Sequence, residues 1–570
     1  MTTDKVRWYF RRPRTAESDT PGVDAPARKT PGGWWLPPIC FAVFPLLSLY
    51  AANSGMVPYS DLARPLLVTL VTAALVGLLL YAALRDRCKA SVVLTAVLFL
   101  WFSFGHIADL VDKASVFSLI GWNNVPAAAI LAFWCPLFVL VVLLLWRSRR
   151  SFAAAIPPLN VVGVVLVALP AATVARRAVE DHGLLRPVST HQTSEDLLLR
   201  SAREPTDPRT APTSQVPDIY YLILDAYGRE DVLQRYYGFD NRPFLDALRS
   251  RGFFVAARAR PNYGQTICSI SSSLDMSYLT DVARAQRSRG STSYSPLTDK
   301  INRNAVMALL RGRGYRFVAI TSGFPLTRPT TADLLLGAEQ TEVPRTISPF
   351  EALTLNLTPL SLLPQKETSL YDVHRAEIRH AFRLLSEVPE LPYRKFVFAH
   401  LLAPHPPFVF GPKGESVQPS NRVYNLADGS DFMRRGTREE YRRRYIDQLR
   451  YVNDQVLRTI DSVVARSKVR PIIVVQGDHG PRLFVDWESL PRTDIRETYG
   501  NLNAFSLPDG EASRVFYDDI TPVNSFRLLL DHYFDAGLRR LPDRSYYSTL
   551  SHPYDFVDVT DRLPPTVPAR

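Results

Sequence analysis

Five positions in the last two thirds of this 570-residue chain could do chemistry together: Asp225, Thr266, His405, Asp478 and His479. The sharpest signal is Gln476-Gly477-Asp478-His479-Gly480, where a carboxylate and an imidazole stand side by side, donor types that suit a divalent metal. Gly477 and Gly480 allow positive φ and close backbone approach, so the pair can be aimed into a crevice. Taken alone, the same residues also read as a strand end, an Asp-Gly type turn and a surface histidine. Asp225 closes the run Asp218 to Asp225, and its plain alternative role is to accept hydrogen bonds from the turn Ala226-Tyr227-Gly228. Thr266 lies in the hydroxyl-rich stretch Asn262 to Ser273, at the entry of a helix, where free N–H groups and the dipole favour an oxyanion. It is the candidate nucleophile, with a simple N-cap as the alternative, while Ser269 and Ser271 fit packing or capping. His405 is held between Pro404 and Pro406, so its backbone is fixed at a strand mouth and it reads as a substrate contact or proton donor. His400, inside that strand, reads as a satisfied core histidine. Asp225, Thr266, Asp478 and His479 together offer three oxygens and one nitrogen to one divalent cation, Mn, Mg or Zn. Such a cation would lower the hydroxyl pKa and neutralise charge on a phosphoryl oxygen. Lys395, Lys413 and Arg496 are cations that could hold phosphate oxygens, each with an ordinary surface charge as its other reading.

The elements that must position these groups are legible too. Ile472 to Val475 is a β-branched run too apolar for a strand with one wet face, so it predicts a central parallel strand buried on both sides. Asp218 to Asp225 predicts another, and both end on acidic residues at the edge where open α/β sheets bind ligands. Phe253 to Ala256, Phe317 to Thr321, Phe396 to Leu402 and Leu502 to Leu507 complete the expected strands. Tyr441, Tyr445, Leu449, Val452, Val456 and Ile460 recur three or four apart, which predicts a helix over Arg438 to Arg466. Thr521-Pro522 predicts the cap and first turn of a helix reaching Phe534. Strand alternating with helix implies a mixed, mostly parallel α/β sheet over residues 217–570.

Apolar residues are concentrated in the first third. Five segments, about Trp34 to Ala52, Pro65 to Leu84, Ala90 to Ile107, Pro126 to Trp146 and Phe152 to Val174, each approach the roughly 20 residues that cross a bilayer. Pro157-Pro158 is expected to interrupt the last. The excess of 67 Lys+Arg over 55 Asp+Glu, a net charge of +12, largely borders these segments, which favours a membrane over nucleic acid as partner. Lys5 to Arg14, Arg85 to Lys89 and Arg147 to Arg150 are basic and the alternate connections are not. The N-terminus is therefore expected in the cytoplasm and everything after Val174 outside it. The expected organisation is a tail over 1–33, a five-helix membrane domain over 34–174, a tether over 175–216 and the polar domain. Of four cysteines only Cys268 lies in the polar domain, so that domain can hold no internal disulfide.

The order strand-Asp225, Thr266 at a helix start, His405-Pro-Pro and Gly477-Asp-His-Gly480 resembles the alkaline phosphatase and sulfatase superfamily. It is most similar to the membrane-anchored branch of lipoteichoic acid synthase and the phosphoglycerol and phosphoethanolamine transferases. Asn501 to Pro508, Tyr517 to Arg527 and Leu541 to Tyr546 resemble bacterial sulfatase-like relatives. The resemblance implies Asp225, Asp478 and His479 as metal ligands, Thr266 as nucleophile and ligand, and His405 on the substrate side; Arg496 is the substrate-binding cation read from the residues alone. It implies a bacterial inner-membrane phosphotransferase that moves a phosphoglycerol-like head group from a phospholipid donor, through a phospho-Thr intermediate, to a hydroxyl of a glycan or polymer acceptor. A phosphodiesterase or sulfatase-like hydrolase, and an inactive membrane-bound binding module, are the alternatives. The departures are informative. Cys268 lacks the Pro and Arg that follow a formylglycine cysteine, Ala226 replaces the second Asp of two-metal members, and no histidine separates His405 from His479. Lipoteichoic acid synthase usually has Glu where this chain has Asp225, and the lone Cys268 departs from the disulfide-bearing phosphoethanolamine transferases.

Overall fold

The computed structural model describes residues 32–53, 57, 59–113, 127–181, 216–321, 323–337, 347–362, 370–418, 432–433 and 436–563. The expected N-terminal tail and most of the tether lie outside the described residues. Among the described residues five helices are long and apolar enough to cross a membrane: α1 (Leu36–Asn53), α2 (Ser60–Leu84), α3 (Arg87–Lys113), α4 (Ala127–Arg147) and α5 (Ile156–Asp181). Leu67, Leu79, Phe133 and Val161 point outward from them, a surface suited to lipid rather than water. Pro157-Pro158 does not interrupt the fifth helix. A 3-10 turn, Ala153–Ala155, leads into it and the two prolines occupy its first turn, where a missing N–H removes no helical bond. The helix then runs to Asp181, into the stretch expected to be tether.

The polar domain contributes, in chain order, β1 (Ile219–Leu224), α6 (Arg242–Ser250), β2 (Phe253–Val255), α7 (Thr266–Asp275), β3 (Arg316–Thr321), β4 (Leu334–Gly337), α8 (Pro349–Asn356) and α9 (Leu370–Glu387). It continues with β5 (Lys395–Leu401), α10 (Arg438–Arg466), β6 (Ile472–Gly477), β7 (Asn503–Ser506) and α11 (Pro522–Phe534). Seven strands form one sheet in the order β2-β7-β6-β1-β5-β3-β4. The five from β6 to β4 run parallel, while β7 pairs antiparallel with both of its neighbours.

Alternate residues of each central strand serve opposite faces, which explains why the strands read as unbroken apolar runs. Tyr220, Leu222, Val397, Ala399, Ile473 and Val475 pack with Ile378 and Leu385 of α9 and Tyr445 and Val452 of α10. Ile219, Tyr221, Phe396, Phe398, Ile472 and Val474 pack with Ile267 and Ile270 of α7 and Phe526 of α11. Each such buried valine, leucine, isoleucine or phenylalanine is worth about 1.5–3 kcal/mol relative to exposure. The α7 helix is thereby laid across the sheet with its N-terminus at the edge where β1 and β6 end.

The domain also touches the membrane helices through α8. Phe350 meets the ring of Tyr50 edge-on at 5.8 Å, Glu351 pairs with Arg64, and the N–H of Gly105 donates to the Leu357 carbonyl at 3.1 Å.

Candidate active site

Strand register sets the site. Leu224, the last residue of β1, is level with Gly477 on one side and Leu401 on the other. Asp225 and Asp478 therefore leave the sheet at the same height, on adjacent parallel strands. Asp225 is held by its own N–H, which donates to the Leu401 carbonyl at 3.0 Å. Asp478 Oδ1 accepts from the backbone N–H groups of Ala226 and His479, both at 3.0 Å. Ala226 adopts φ +61°, a left-handed conformation that costs a non-glycine residue energy, and the Tyr445 hydroxyl holds its carbonyl at 2.8 Å.

His479 is the hub. Its Nδ1 lies 2.7 Å from the Gly480 carbonyl, so Nδ1 carries the proton and a neutral ring turns its Nε2 lone pair the other way. That Nε2 lies 3.1 Å from Asp478 Oδ2, 3.4 Å from Asp225 Oδ1 and 3.1 Å from Thr266 Oγ1. A lone pair facing two carboxylates is favourable only with a proton or a metal cation among them. Asp225 Oδ1 and Asp478 Oδ2 are buried and accept no hydrogen bond among the described residues. The donor set, two such oxygens, an oriented imidazole nitrogen and a hydroxyl, fits a divalent cation.

Thr266 is the first residue of α7, and its hydroxyl does not cap the helix. Gln265 is the capping residue by position, yet its amide donates instead to Ser548 and Thr549. The Thr266 hydroxyl is left to face His479. Ser269, one turn on, donates to the Asp478 carbonyl at 2.7 Å and fastens the helix to the end of β6. Ser271 bonds within its own helix, to the Cys268 carbonyl.

His405 is buried, with Gln448 donating to its carbonyl at 3.0 Å and its own N–H donating to the Asp225 carbonyl at 3.0 Å. Its Nδ1 faces the Pro406 carbonyl. The bonds preceding Pro404 and Pro407 are both cis. Burial alone would raise the Asp225 carboxyl, but the charges of His405, His479 and His400 and a hydrogen bond from His400 outweigh it and hold the group far below the usual carboxylate range. Asp478 is likewise lowered: burial and the charge of Asp225 push it up, and His479 and His400 more than compensate.

His400 belongs to this cluster and not to an inert core. Its Nε2 lies 3.3 Å from Asp225 Oδ2 and its Nδ1 lies 2.8 Å from the Thr327 hydroxyl. One donor atom from each of Asp225, His400 and Asp478 falls within 4.8 Å of the others, a group able to hold a metal ion. The available signal was its place, one residue short of the end of a strand that proves to lie beside β1.

The glycines beside Asp478 depart from one expectation. Gly477 and Gly480 have no positive φ among the described residues. Their reason is space: a Cβ at Gly477 would lie 2.6 Å from the Tyr227 carbonyl oxygen and one at Gly480 would lie 2.1 Å from that of Glu497. Arg496 sits in a short helix whose cap is Asp494, and no hydrogen bond or ion pair among the described residues joins it to Asp225, Thr266, Asp478 or His479. Lys395 is buried at the opposite end of the sheet against Asp218, and Lys413 lies exposed in a turn.

No family model matches the chain, and no curated protein matches it. Solved structures do. The periplasmic domain of EptC from Escherichia coli aligns over 63% of this chain and 96% of its own, at 14% identity and TM-score 0.40. The integral membrane lipooligosaccharide phosphoethanolamine transferase A from Neisseria meningitidis aligns over 86% of this chain and 94% of its own, at 10% identity and TM-score 0.39. A protein in the alkaline phosphatase superfamily from Vibrio parahaemolyticus aligns over 62% of this chain and 81% of its own, at 13% identity and TM-score 0.36. Phosphoethanolamine transferases thus stand among the similar structures, although Cys268 is free and buried here. At these identities and TM-scores the likeness is one of general outline, and the chemistry rests on the side chains themselves.

Proposed function

We propose that the protein is a membrane-bound, metal-dependent phosphotransferase in which Thr266 is the nucleophile. The observation that carries this reading is the convergence of Thr266 Oγ1 and the two carboxylates of Asp225 and Asp478 on the one nitrogen, Nε2 of His479, within 3.1–3.4 Å. Asp225, Thr266, Asp478 and His479 would hold one divalent cation, Mn, Mg or Zn, with His400 steadying Asp225 from behind. Such a cation supplies a lowered hydroxyl pKa and charge neutralisation at a phosphoryl oxygen.

The chain's own residues do the rest. The N-terminal turn of α7 presents N–H groups and its dipole to an entering phosphoryl oxygen. The Thr266 hydroxyl gives its proton to water, its Oγ–P bond forms as the phosphoester bond to diacylglycerol breaks, and the departing glycerol oxygen takes up a proton. His405, with Nδ1 on the Pro406 carbonyl, would give that proton from its other nitrogen. In the second half an acceptor hydroxyl attacks the phosphorus, the Thr266 ester breaks and Oγ is reprotonated. The donor is a phospholipid carrying a phosphoglycerol-like head group and the acceptor a hydroxyl on a cell-envelope glycan or polymer. The contact of α8 with the membrane helices keeps the domain near the bilayer, which supports a lipid donor. By charge bias the N-terminus is cytoplasmic and the catalytic domain faces outward.

Mass spectrometry of the full-length protein, purified with Mn and given head-group-labelled phosphatidylglycerol, should find the label on Thr266. Free labelled head group without transfer to any acceptor would favour the hydrolase. Protein loaded with metal but never labelled by any phosphodiester would favour the binding module.

A further inference from the structure

We propose that Arg482 is a catalytic residue that holds the non-bridging oxygens of the phosphoryl group as Thr266 attacks it, an assignment that rests on the phosphotransfer reading above. Arg482 follows Gly480-Pro481 and is buried, 7% exposed. Its Nη2 donates to the Gly264 carbonyl at 2.8 Å and lies 3.5 Å from Thr266 Oγ1. The guanidinium carbon stands 4.5 Å above the ring of Trp487, so the plane of the group is fixed from one face. Its Nε is buried and has no hydrogen-bond acceptor among the described residues.

The other buried arginines show how unusual this is. Arg229, also 7% exposed, gives Nε and Nη2 to Asp231 and Nη1 to the Ala259 carbonyl. Arg375, 4% exposed, is divided between Asp372 and the carbonyls of Val409 and Val417. Each is anchored to a carboxylate. Arg482 has no carboxylate partner among the described residues and keeps a buried donor unsatisfied, a costly state for a cation. A phosphoryl group on Thr266 Oγ1 would place oxygens beside that donor and satisfy it, and the planar fork of guanidinium suits two of them.

The segment is also held still. The N–H of Gly480 donates to the Thr498 carbonyl at 2.7 Å, and the N–H groups of Leu483 and Phe484 donate to the Glu497 carboxylate at 3.1 and 2.8 Å. Arg482 is thus fastened on both sides before any substrate arrives, which is what lets a cation stabilise charge without reorganising. It exchanges no proton in the step. The Oγ–P bond forms, the P–O bond to the leaving group breaks, and Arg482 only donates hydrogen bonds.

The test uses the full-length protein in detergent with Mn and bis(p-nitrophenyl) phosphate, following nitrophenolate release, label on Thr266, Mn binding and melting temperature. Arg482→Lys and Arg482→Ala should bind Mn and melt as the parent does, yet phosphorylate Thr266 about 10²- to 10³-fold more slowly. Added guanidinium ion should restore part of the rate to Arg482→Ala and none to Thr266→Ala. A parent rate in Arg482→Lys and Arg482→Ala would overturn the assignment and leave the phosphotransfer reading standing. So would a slowed rate that guanidinium cannot rescue, accompanied by a lowered melting temperature, since that is the mark of a structural arginine. A parent protein that never carries label on Thr266 would overturn the phosphotransfer reading, and this assignment with it.

Discussion

At the N-terminal ends of β1 and β5, Asp218 faces Lys395 with Nζ 2.6 Å from Oδ2. The same ammonium reaches the carbonyls of Leu391 and Tyr393, and the Lys395 N–H donates to Asp218 Oδ1 at 3.0 Å. One negative charge meets one positive charge and the donors find acceptors. At the C-terminal ends of β1 and its other neighbour, β6, the count is different. Two carboxylates, Asp225 and Asp478, are buried beside one another, each with an oxygen that accepts no hydrogen bond among the described residues. Burial raises the Asp218 carboxyl against the lowering pull of Lys395, whereas Asp225 is lowered far below its usual range by three imidazoles. A sheet that needed only to fold could have closed both ends in the first manner. The unbalanced end is the one built for something that arrives from outside.

The sharpest way to break this contrast is to delete one group from the unbalanced end. Thr266→Ala should lower transfer by at least about 10³-fold with little change in melting temperature, because a nucleophile is not a structural support. Asp225→Asn should lose transfer to a similar extent, and in chelator it should melt below the parent, since the imidazoles that hold this carboxylate ionised lose their partner. A parent rate of transfer in either variant would mean that the contrast is false.

Lys395→Met probes the balanced end. Removing one partner of a buried pair leaves Asp218 uncompensated, and stability should fall by about 3–5 kcal/mol in chemical denaturation. Transfer by the folded fraction should stay at the parent value. A substrate role for Lys395, which its sequence position allowed, would instead show as lost transfer in a stable protein.

Metal should sharpen the contrast from the other side. A divalent cation at 100 times its Kd should raise stability by about 2.7 kcal/mol through binding the folded state alone. Asp225→Asn should lose most of that gain and Lys395→Met none of it, as melting in graded Mn can show. Equal responses in the two variants would place the cation elsewhere.

How much of this was open to reading depends on what each residue's role requires. Asp225, Asp478 and His479 announce themselves because a buried apolar run stops on polar side chains, and burial in a strand is a local property. Thr266 could be placed at a helix entry, but its hydroxyl could not be told from a cap until Gln265 proved to hold that position. His400 was hidden because a histidine inside an apolar strand carries no mark of its neighbours. Only the register of β5 on β1 puts it near Asp225. Arg496 was chosen as a nearby cation, while Arg482 went unremarked, since direction of a long side chain depends on packing against Trp487 and Gly264 from other segments. Strand β4, four residues over Leu334–Gly337, was too short a run to separate from a loop. Of the two reasons read for the glycines flanking Asp478, close backbone approach holds and positive φ does not.

Glu497 offers the gentlest test, because it is a third mode of buried acid. Among the described residues it pairs with no cation in the manner of Asp218 and belongs to no cluster in the manner of Asp225. Its carboxylate accepts from the Tyr237 hydroxyl and from the N–H groups of Leu483 and Phe484. Burial is the largest influence and raises its pKa to about 7 against the lowering effect of those donors. The folded protein therefore keeps a proton on Glu497 between about pH 4.5 and pH 7 that the unfolded chain releases, so its contribution to stability is full below that window and declines as pH rises through it. In Glu497→Gln that decline should vanish. The difference in stability between parent and variant should change by about 3 kcal/mol across the window, read from urea midpoints at closely spaced pH values in chelator. Parallel curves would show that the three donors keep Glu497 ionised throughout. In that event a buried carboxylate in this fold can be stabilised by neutral donors alone, and the two open oxygens at Asp225 and Asp478 would stand out still further from it.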